Sequence, residues 1–309
     1  MYFFPSITIG IFTFIILSSY TAFRKVFLFK KKRPQEPLDG LDDEPPETKE
    51  IRIDMIKNFL SVPCEEVSIK SYDGKTLYAS YYNLFDGAPL TILFHGYKSL
   101  GVRDFSAIAA ECMKLRQNLL LIDQRAHGRS EGKVISFGIK ERFDCKSWVD
   151  YAVGRFGKDT KILLYGISMG AATVLMASEL PLKENVKGIV ADCPYSSPKD
   201  IILKVCRDRR LPPWLISPFI RLGAILFGGF KLDECSAENA VTKTKIPILL
   251  IHGEADDFVP CTMSDKIARK GRTVTYLKVP GANHGRALIY GRKAYLSKLT
   301  AFLNDINKL

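Results

Sequence analysis

From residue 90 onward, short runs of consecutive apolar side chains alternate with stretches in which apolar positions recur every three or four residues. The runs at 90–94, 119–123, 161–165, 186–191, 246–251 and 273–279 have strand length and are rich in Ile, Leu and Val, as strands covered on both faces are. Between them, 106–115, 140–156 and 169–180 carry helical periodicity. Ahead of this alternation, 66–70 and 76–82 are β-prone runs on either side of Ser71-Tyr72-Asp73-Gly74-Lys75, which predicts a hairpin about an Asp-Gly turn. A hairpin followed by βαβ units predicts an α/β class: a mostly parallel eight-stranded sheet with helices on both faces. Ligands in such sheets sit beyond the carboxyl ends of the strands.

A different pattern opens the chain. Residues 2–23 are predominantly apolar and carry no charge. At about 1.5 Å each they reach about 33 Å, enough to cross a hydrocarbon core of about 30 Å. Six cations follow (Arg24, Lys25, Lys30, Lys31, Lys32, Arg33). The positive-inside bias then predicts a single-pass membrane protein with its N-terminus out and its catalytic domain cytoplasmic. A secretory signal peptide would carry a basic n-region and a shorter apolar stretch; cleavage near Thr21 and Ala22 would reverse the orientation. Residues 34–50 hold four prolines and seven acids against Lys49. Such a segment buries no core and is expected to be a linker. The expected organisation is a transmembrane anchor with its basic flank over 1–33, an acidic Pro-rich linker over 34–50, and a catalytic domain over 51–309.

The charges of flank and linker cancel, so the net +12 of the whole chain belongs to the main domain. That fits either a solvated basic surface or an anionic partner, and beside an anchor the nearest such partner is anionic lipid. Nucleic acid is not expected, because no basic motif with interleaved aromatics is present. Seven cysteines without a CxxC pair, and with no histidine at metal spacing, imply for most of them buried small hydrophobes rather than a disulfide framework or a metal site.

The chemistry is concentrated at strand ends. Gly166-Ile167-Ser168-Met169-Gly170 follows one apolar strand and opens a helix. Its G-x-S-x-G spacing places a serine on a sharp turn, with glycines letting strand and helix pass without Cβ clashes. Partners of such a serine follow in the order acid, then histidine. After the run at 246–251, Glu254, Asp256 and Asp257 lie in one loop, and the G-x-x-D spacing from Gly253 favours Asp256. Of the four histidines only His284, in a loop of small residues, lies beyond that loop. Ser168, Asp256 and His284 are therefore the expected catalytic residues, and the Tyr97 and Met169 amides the expected oxyanion hole. His95, His127 and His252 are expected to hold turns.

With its HGY, DQRAHGRSEG, GISMG, HGEADDFVP and NHG segments, the chain resembles the α/β-hydrolase superfamily over roughly residues 60–307, in particular small bacterial hydrolases with an N-terminal anchor. The resemblance implies the α/β-hydrolase fold, serine-esterase activity without a cofactor, and a small helical cap over about 196–240. Trp214, Ile216, Phe219 and Ile220 would line an acyl pocket beneath that cap. The expected substrate is a small carboxylic ester with an apolar acyl group. A serine peptidase or thioesterase would use the same residues, and a non-catalytic receptor would not need all three. Epoxide hydrolysis and dehalogenation are disfavoured, since those routes place Asp where Ser168 stands. The sequence carries no sign of oligomeric state.

Overall fold

The computed structural model describes residues 3–29, 36–38, 41 and 46–307. The expected α/β architecture is present: one eight-stranded sheet in the order β1-β2-β4-β3-β5-β6-β7-β8. β1 (Glu65–Lys70) and β2 (Thr76–Tyr82) form the antiparallel hairpin, and β2 also runs antiparallel to β4 (Asn118–Ile122). The remaining neighbours are parallel: β3 (Leu90–Phe94), β5 (Ile162–Ile167), β6 (Val186–Asp192), β7 (Ile248–Gly253) and β8 (Val274–Val279). Every residue of β3, β4, β5 and β7 is buried, which is why their sequences are mostly apolar runs rather than alternations. The edge strand β8 is only partly covered, with Val279 its one buried residue, and Thr275 and Lys278 interrupt its apolar run.

Helices cover both faces. On one, α3 (Gly101–Lys114) and, after the short α10 (Ala287–Tyr290), α11 (Arg292–Asn307) contribute Phe105, Ile108, Tyr295 and Leu299 to the core. On the other, α4 (Glu141–Phe156), α5 (Met169–Ala177) and α9 (Thr262–Lys270) contribute Trp148, Val149, Leu175 and Ile267. Between β6 and β7 the chain is helical: α6 (Pro198–Asp208), α7 (Pro213–Gly223) continued by a π-helical turn over Ala224–Gly228, and α8 (Ala237–Ala240). One helix, like α9 and α11, is not marked by the periodicity of the sequence. α2 (Pro46–Leu60) spaces few apolar residues among charges, yet Ile56 and Phe59 are buried and Phe59 stacks on Tyr82 with ring centroids 4.9 Å apart.

The first helix, α1 (Phe3–Val26), contains a stretch, Thr8–Val26, long and apolar enough to cross a membrane. The basic flank at 30–33 and residues 34–35, 39–40 and 42–45 of the expected linker lie outside the described residues, while 46–50 open α2. The end of α1 is stitched into the body. Phe23 and Phe27 are buried in the core that contains β3 and β5. The Ile135 N–H donates to the Phe27 carbonyl (2.9 Å), and the Phe29 N–H donates to the Lys133 carbonyl (2.7 Å). Farther up, α1 runs beside α7. The Phe14 ring lies 6.2 Å from that of Phe219, and the Tyr20 ring 5.1 Å from that of Phe227. Gly223 presses so closely on α1 that a Cβ there would stand 2.4 Å from the Ser19 carbonyl oxygen. Contacts ascend together along both helices, so the two pack in parallel through small residues, as helices that approach closely do.

Phe27 sits at 1% exposure among Phe23, Phe137 and Phe230. Phe27→Ala is expected to lower stability by about 3–5 kcal/mol, measured by thermal unfolding of the full chain. A loss below about 1 kcal/mol would mean that the end of α1 is not part of this core.

Candidate active site

Ser168 occupies the turn from β5 into α5, with φ 55° and ψ −114°, a backbone region that L-residues avoid. Two glycines make the turn possible. A Cβ on Gly166 would lie 2.3 Å from the Gly170 carbonyl carbon, and one on Gly170 would lie 1.9 Å from the Phe94 carbonyl oxygen. The Ser168 N–H donates to the Asp192 carbonyl at the end of β6 (2.8 Å), which pins the turn to the neighbouring strand.

The structure brings Ser168, His284 and Asp256 into one hydrogen-bonded chain. The His284 Nε2 is 2.9 Å from the Ser168 Oγ, and its Nδ1 is 2.6 Å from the Asp256 Oδ2. A carboxylate only accepts, so the His284 proton sits on Nδ1 and Nε2 is left to accept from the serine hydroxyl. The Asp256 Oδ1 takes the Phe258 N–H (3.1 Å) and the Val259 N–H (2.8 Å). Burial raises the pKa of this carboxyl, but hydrogen bonds from His252 and His284 outweigh it and hold the value down to about 2. Its stabilising charge is therefore fully present above the usual carboxylate range and is lost only as pH falls towards about 2.

His252 was expected to hold a turn, and it does more than that. It is fully buried, with Nε2 3.1 Å from the Asp256 Oδ2 and 2.8 Å from the Val259 carbonyl, and Nδ1 2.6 Å from the Ser264 Oγ. Two acceptors at Nε2 place the proton there, so His252 is a second donor fixing Asp256. The four-residue spacing in His252-Gly253-Glu254-Ala255-Asp256 was the signal available for it. His252→Phe removes that donor and is expected to lower kcat about tenfold, the cost of one charged hydrogen bond. It should also move the acid limb of the pH–rate profile upward, because Asp256 then protonates at higher pH, while His252→Gln recovers part of the loss. Loss of thermal stability with an unmoved profile would reduce His252 to packing.

His95 and His127 hold the loop after β3. The His95 Nδ1 donates to the Gly96 carbonyl (2.8 Å) and its Nε2 accepts from the Gln124 N–H (3.1 Å); burial lowers its pKa and keeps the ring neutral. The His127 Nε2 accepts from the Lys98 N–H (3.0 Å). The loop thus fixed presses Gly96 against Ser168, a Cβ there lying 3.5 Å from that of Ser168. Tyr97 follows Gly96, and Met169 is the first residue of α5; among the described backbone hydrogen bonds neither amide has a protein acceptor. The Cys193 Sγ is 4.0 Å from the His284 Nε2, and with Asp256 these groups are compact enough for a metal. Burial pushes the Cys193 thiol well up, so it stays protonated and is a poor ligand, and His284 and Asp256 already bond each other.

Two cavities meet at Ser168. One, of about 530 Å³, is walled by apolar side chains of α6 and α7 (Ile201, Val205, Ile216 and Ile220), by Tyr97 and Phe137, and on one side by Ala22, Lys25 and Val26 of α1. The other, of about 270 Å³, reaches His284 and is bordered by Arg52, Arg103 and Asp104. The expectation that Trp214 and Phe219 line the acyl pocket is corrected. Trp214 is 79% exposed, and Phe219 turns to Phe14 of α1. Ile216 and Ile220, four apart on one face of α7, border the cavity, and Trp214 and Phe219 do not.

Residues 89–233, which include Tyr97 and Ser168, match the family model for the alpha/beta hydrolase fold. Residues 214–284, which include Asp256 and His284, match that for serine hydrolase (FSH1). The chain is 25% identical to the uncharacterized protein YqkD of Bacillus subtilis (strain 168) over 304 residues, 97% of each chain. It is similar to the structure of the Pyrococcus furiosus esterase Pf2001, with 25% identity and a TM-score of 0.61 over 80% of this chain and 94% of that one. Est1E from Butyrivibrio proteoclasticus, solved with ferulic acid bound, shares the fold at 21% identity and a TM-score of 0.61, over 79% of this chain and all of that one.

Proposed function

We propose that this chain, which belongs to the α/β-hydrolase superfamily, cleaves carboxylic esters through an acyl-enzyme on Ser168. The observation that carries the reading is the unbroken chain from the Ser168 Oγ through His284 to Asp256, placed where an apolar cavity meets a polar one. The Ser168 Oγ attacks the ester carbonyl as its proton passes to the His284 Nε2. Asp256 orients the ring and stabilises the imidazolium. The Tyr97 and Met169 amides receive the oxyanion, each such donor lowering the barrier by about 3 kcal/mol. Collapse expels the alcohol, which takes the proton from His284. A water, deprotonated by the same nitrogen, then attacks the acyl-serine and releases the acid.

The larger cavity suits the acyl chain, because its walls are aliphatic and aromatic and leave few polar groups to satisfy. The smaller one, with Arg52 and Arg103 at its border, suits the alcohol side. α1 tethers the protein to a membrane, and the cations after it keep the hydrolase on the cytoplasmic side. The test is turnover of p-nitrophenyl esters of graded acyl length by the full chain, beside a matched thioester and peptide. Medium-chain esters are expected to exceed acetate by at least about tenfold in kcat/KM, since each buried methylene adds roughly 0.8 kcal/mol. Turnover confined to the peptide would overturn the ester reading.

A further inference from the structure

Of the large apolar side chains that the fold leaves exposed, most lie on α1 and on the segment from Leu211 to Phe227. They form one continuous surface, because α1 and α7 pack in parallel from Phe14–Phe219 through Ser19–Gly223 to Phe23–Phe227. Ile9, Phe12 and Leu17 face outward on α1; Trp214, Leu215 and Leu226 face outward beside it. Arg221 is the charged residue within this stripe of α7, and it is ion-paired with Asp233 at 3.0 Å. Whatever medium receives α1 therefore also meets the outer face of α7.

We propose that the cap helix α7, together with α1, is bedded in an anionic lipid bilayer, so that the cavity between them draws its substrate, an acyl lipid with an anionic head group, directly from the membrane. Three observations single out a bilayer as the occupant. The face is continuous with a helix that has the length and composition of a membrane span. Exposed cations flank it: Arg24 and Lys25 at the end of α1, and Arg207, Arg209 and Arg210 just before α7. A tryptophan projects from it, the residue enriched where membrane meets water. Lys25 and Arg209 also border the apolar cavity whose walls are Ala22 and Val26 of α1 and Ile216 and Ile220 of α7. A lipid leaving the bilayer along these helices thus keeps its chain in apolar surroundings and its head group beside cations. The substrate class rests on the ester reading; the membrane face does not.

The chain supplies its own probe. It has two tryptophans, Trp214 on this face and Trp148 fully buried. The experiment reconstitutes the full chain in vesicles of phosphatidylcholine and phosphatidylglycerol, with and without bromine on the acyl chains. Brominated lipid is expected to quench the Trp214 emission at least about twofold, as an indole at the membrane interface requires, and to leave Trp214→Phe unaffected. Trp214 reached by aqueous iodide and untouched by bromine, in vesicle-bound protein, would overturn the proposal. A second arm compares Trp214→Glu/Leu215→Glu with wild type on a fluorogenic phosphatidylglycerol in vesicles and on soluble p-nitrophenyl butyrate. A loss of at least about tenfold on the lipid alone is expected from removing two apolar membrane contacts, and equal rates on the lipid would contradict delivery through this face. Wild type inert on both substrates would defeat the ester reading and with it the lipid substrate, while the quenching still decides the membrane face.

Discussion

Ser168→Ala is expected to lower kcat for an ester by roughly 10⁴- to 10⁶-fold with no loss of thermal stability. The size follows from the geometry. The Ser168 Oγ is the atom aligned with the His284 Nε2 at 2.9 Å, and alanine offers nothing for that ring to deprotonate. Residual turnover would come from the amides of Tyr97 and Met169 and from binding, which act on water as a poorer nucleophile. The fold should not suffer, because alanine keeps the Cβ at the same strained φ of 55° and the Ser168 N–H bond to the Asp192 carbonyl does not involve the side chain. Steady-state kinetics and a melting curve on one preparation check both halves. A variant retaining more than about a tenth of the rate would exclude Ser168 as the attacking group.

Gly170→Ala should produce the opposite signature, with stability and activity lost together. An added Cβ would stand 1.9 Å from the Phe94 carbonyl oxygen and 2.7 Å from that of His95. Both obstacles are backbone, at the end of a central strand, so no flexible side chain can yield. Either α5 withdraws from β3, carrying Ser168 away from His284, or the loop bearing Tyr97 moves. The expected cost is at least about 3 kcal/mol, a severe overpacking penalty. Gly154→Ala in α4 is the matched control: nothing lies within 4 Å of its Cβ, and a helix interior gains about 0.5–1 kcal/mol from alanine. Parallel melting curves decide it, and equal Tm values for the two variants would contradict the close approach at Gly170.

The sheet was legible because its inner strands are buried on both faces. No charged residue interrupts Leu90–Phe94 or Ile162–Ile167, and Asp73-Gly74 marks the hairpin turn, Gly74 taking φ 82°. The site residues were legible because each stands in a loop just beyond a strand, among glycines that a close turn requires. What escaped reading was tertiary in origin. α2 has no strong apolar periodicity and owes its place to Ile56 and Phe59 meeting the body. Phe27 looked like the fringe of an anchor, and only the three-dimensional neighbourhood of Phe137 and Phe230 makes it core. Trp214 and Phe219 belong to an apolar run whose inner face is set by which helix lies alongside, and that helix is contributed by a segment at the far N-terminal end of the chain. His252 needed the fold of one loop to show that its Nε2 shares the Asp256 carboxylate with His284.

The most direct test is the intact mass of the native full chain after exposure to a fluorophosphonate, followed by mapping of the modified peptide. A serine activated by His284 displaces fluoride from phosphorus, so a single adduct is predicted, located on Ser168 and formed far more slowly in His284→Ala. A folded protein that stays unmodified, or one whose adduct maps to another residue, would contradict the assignment.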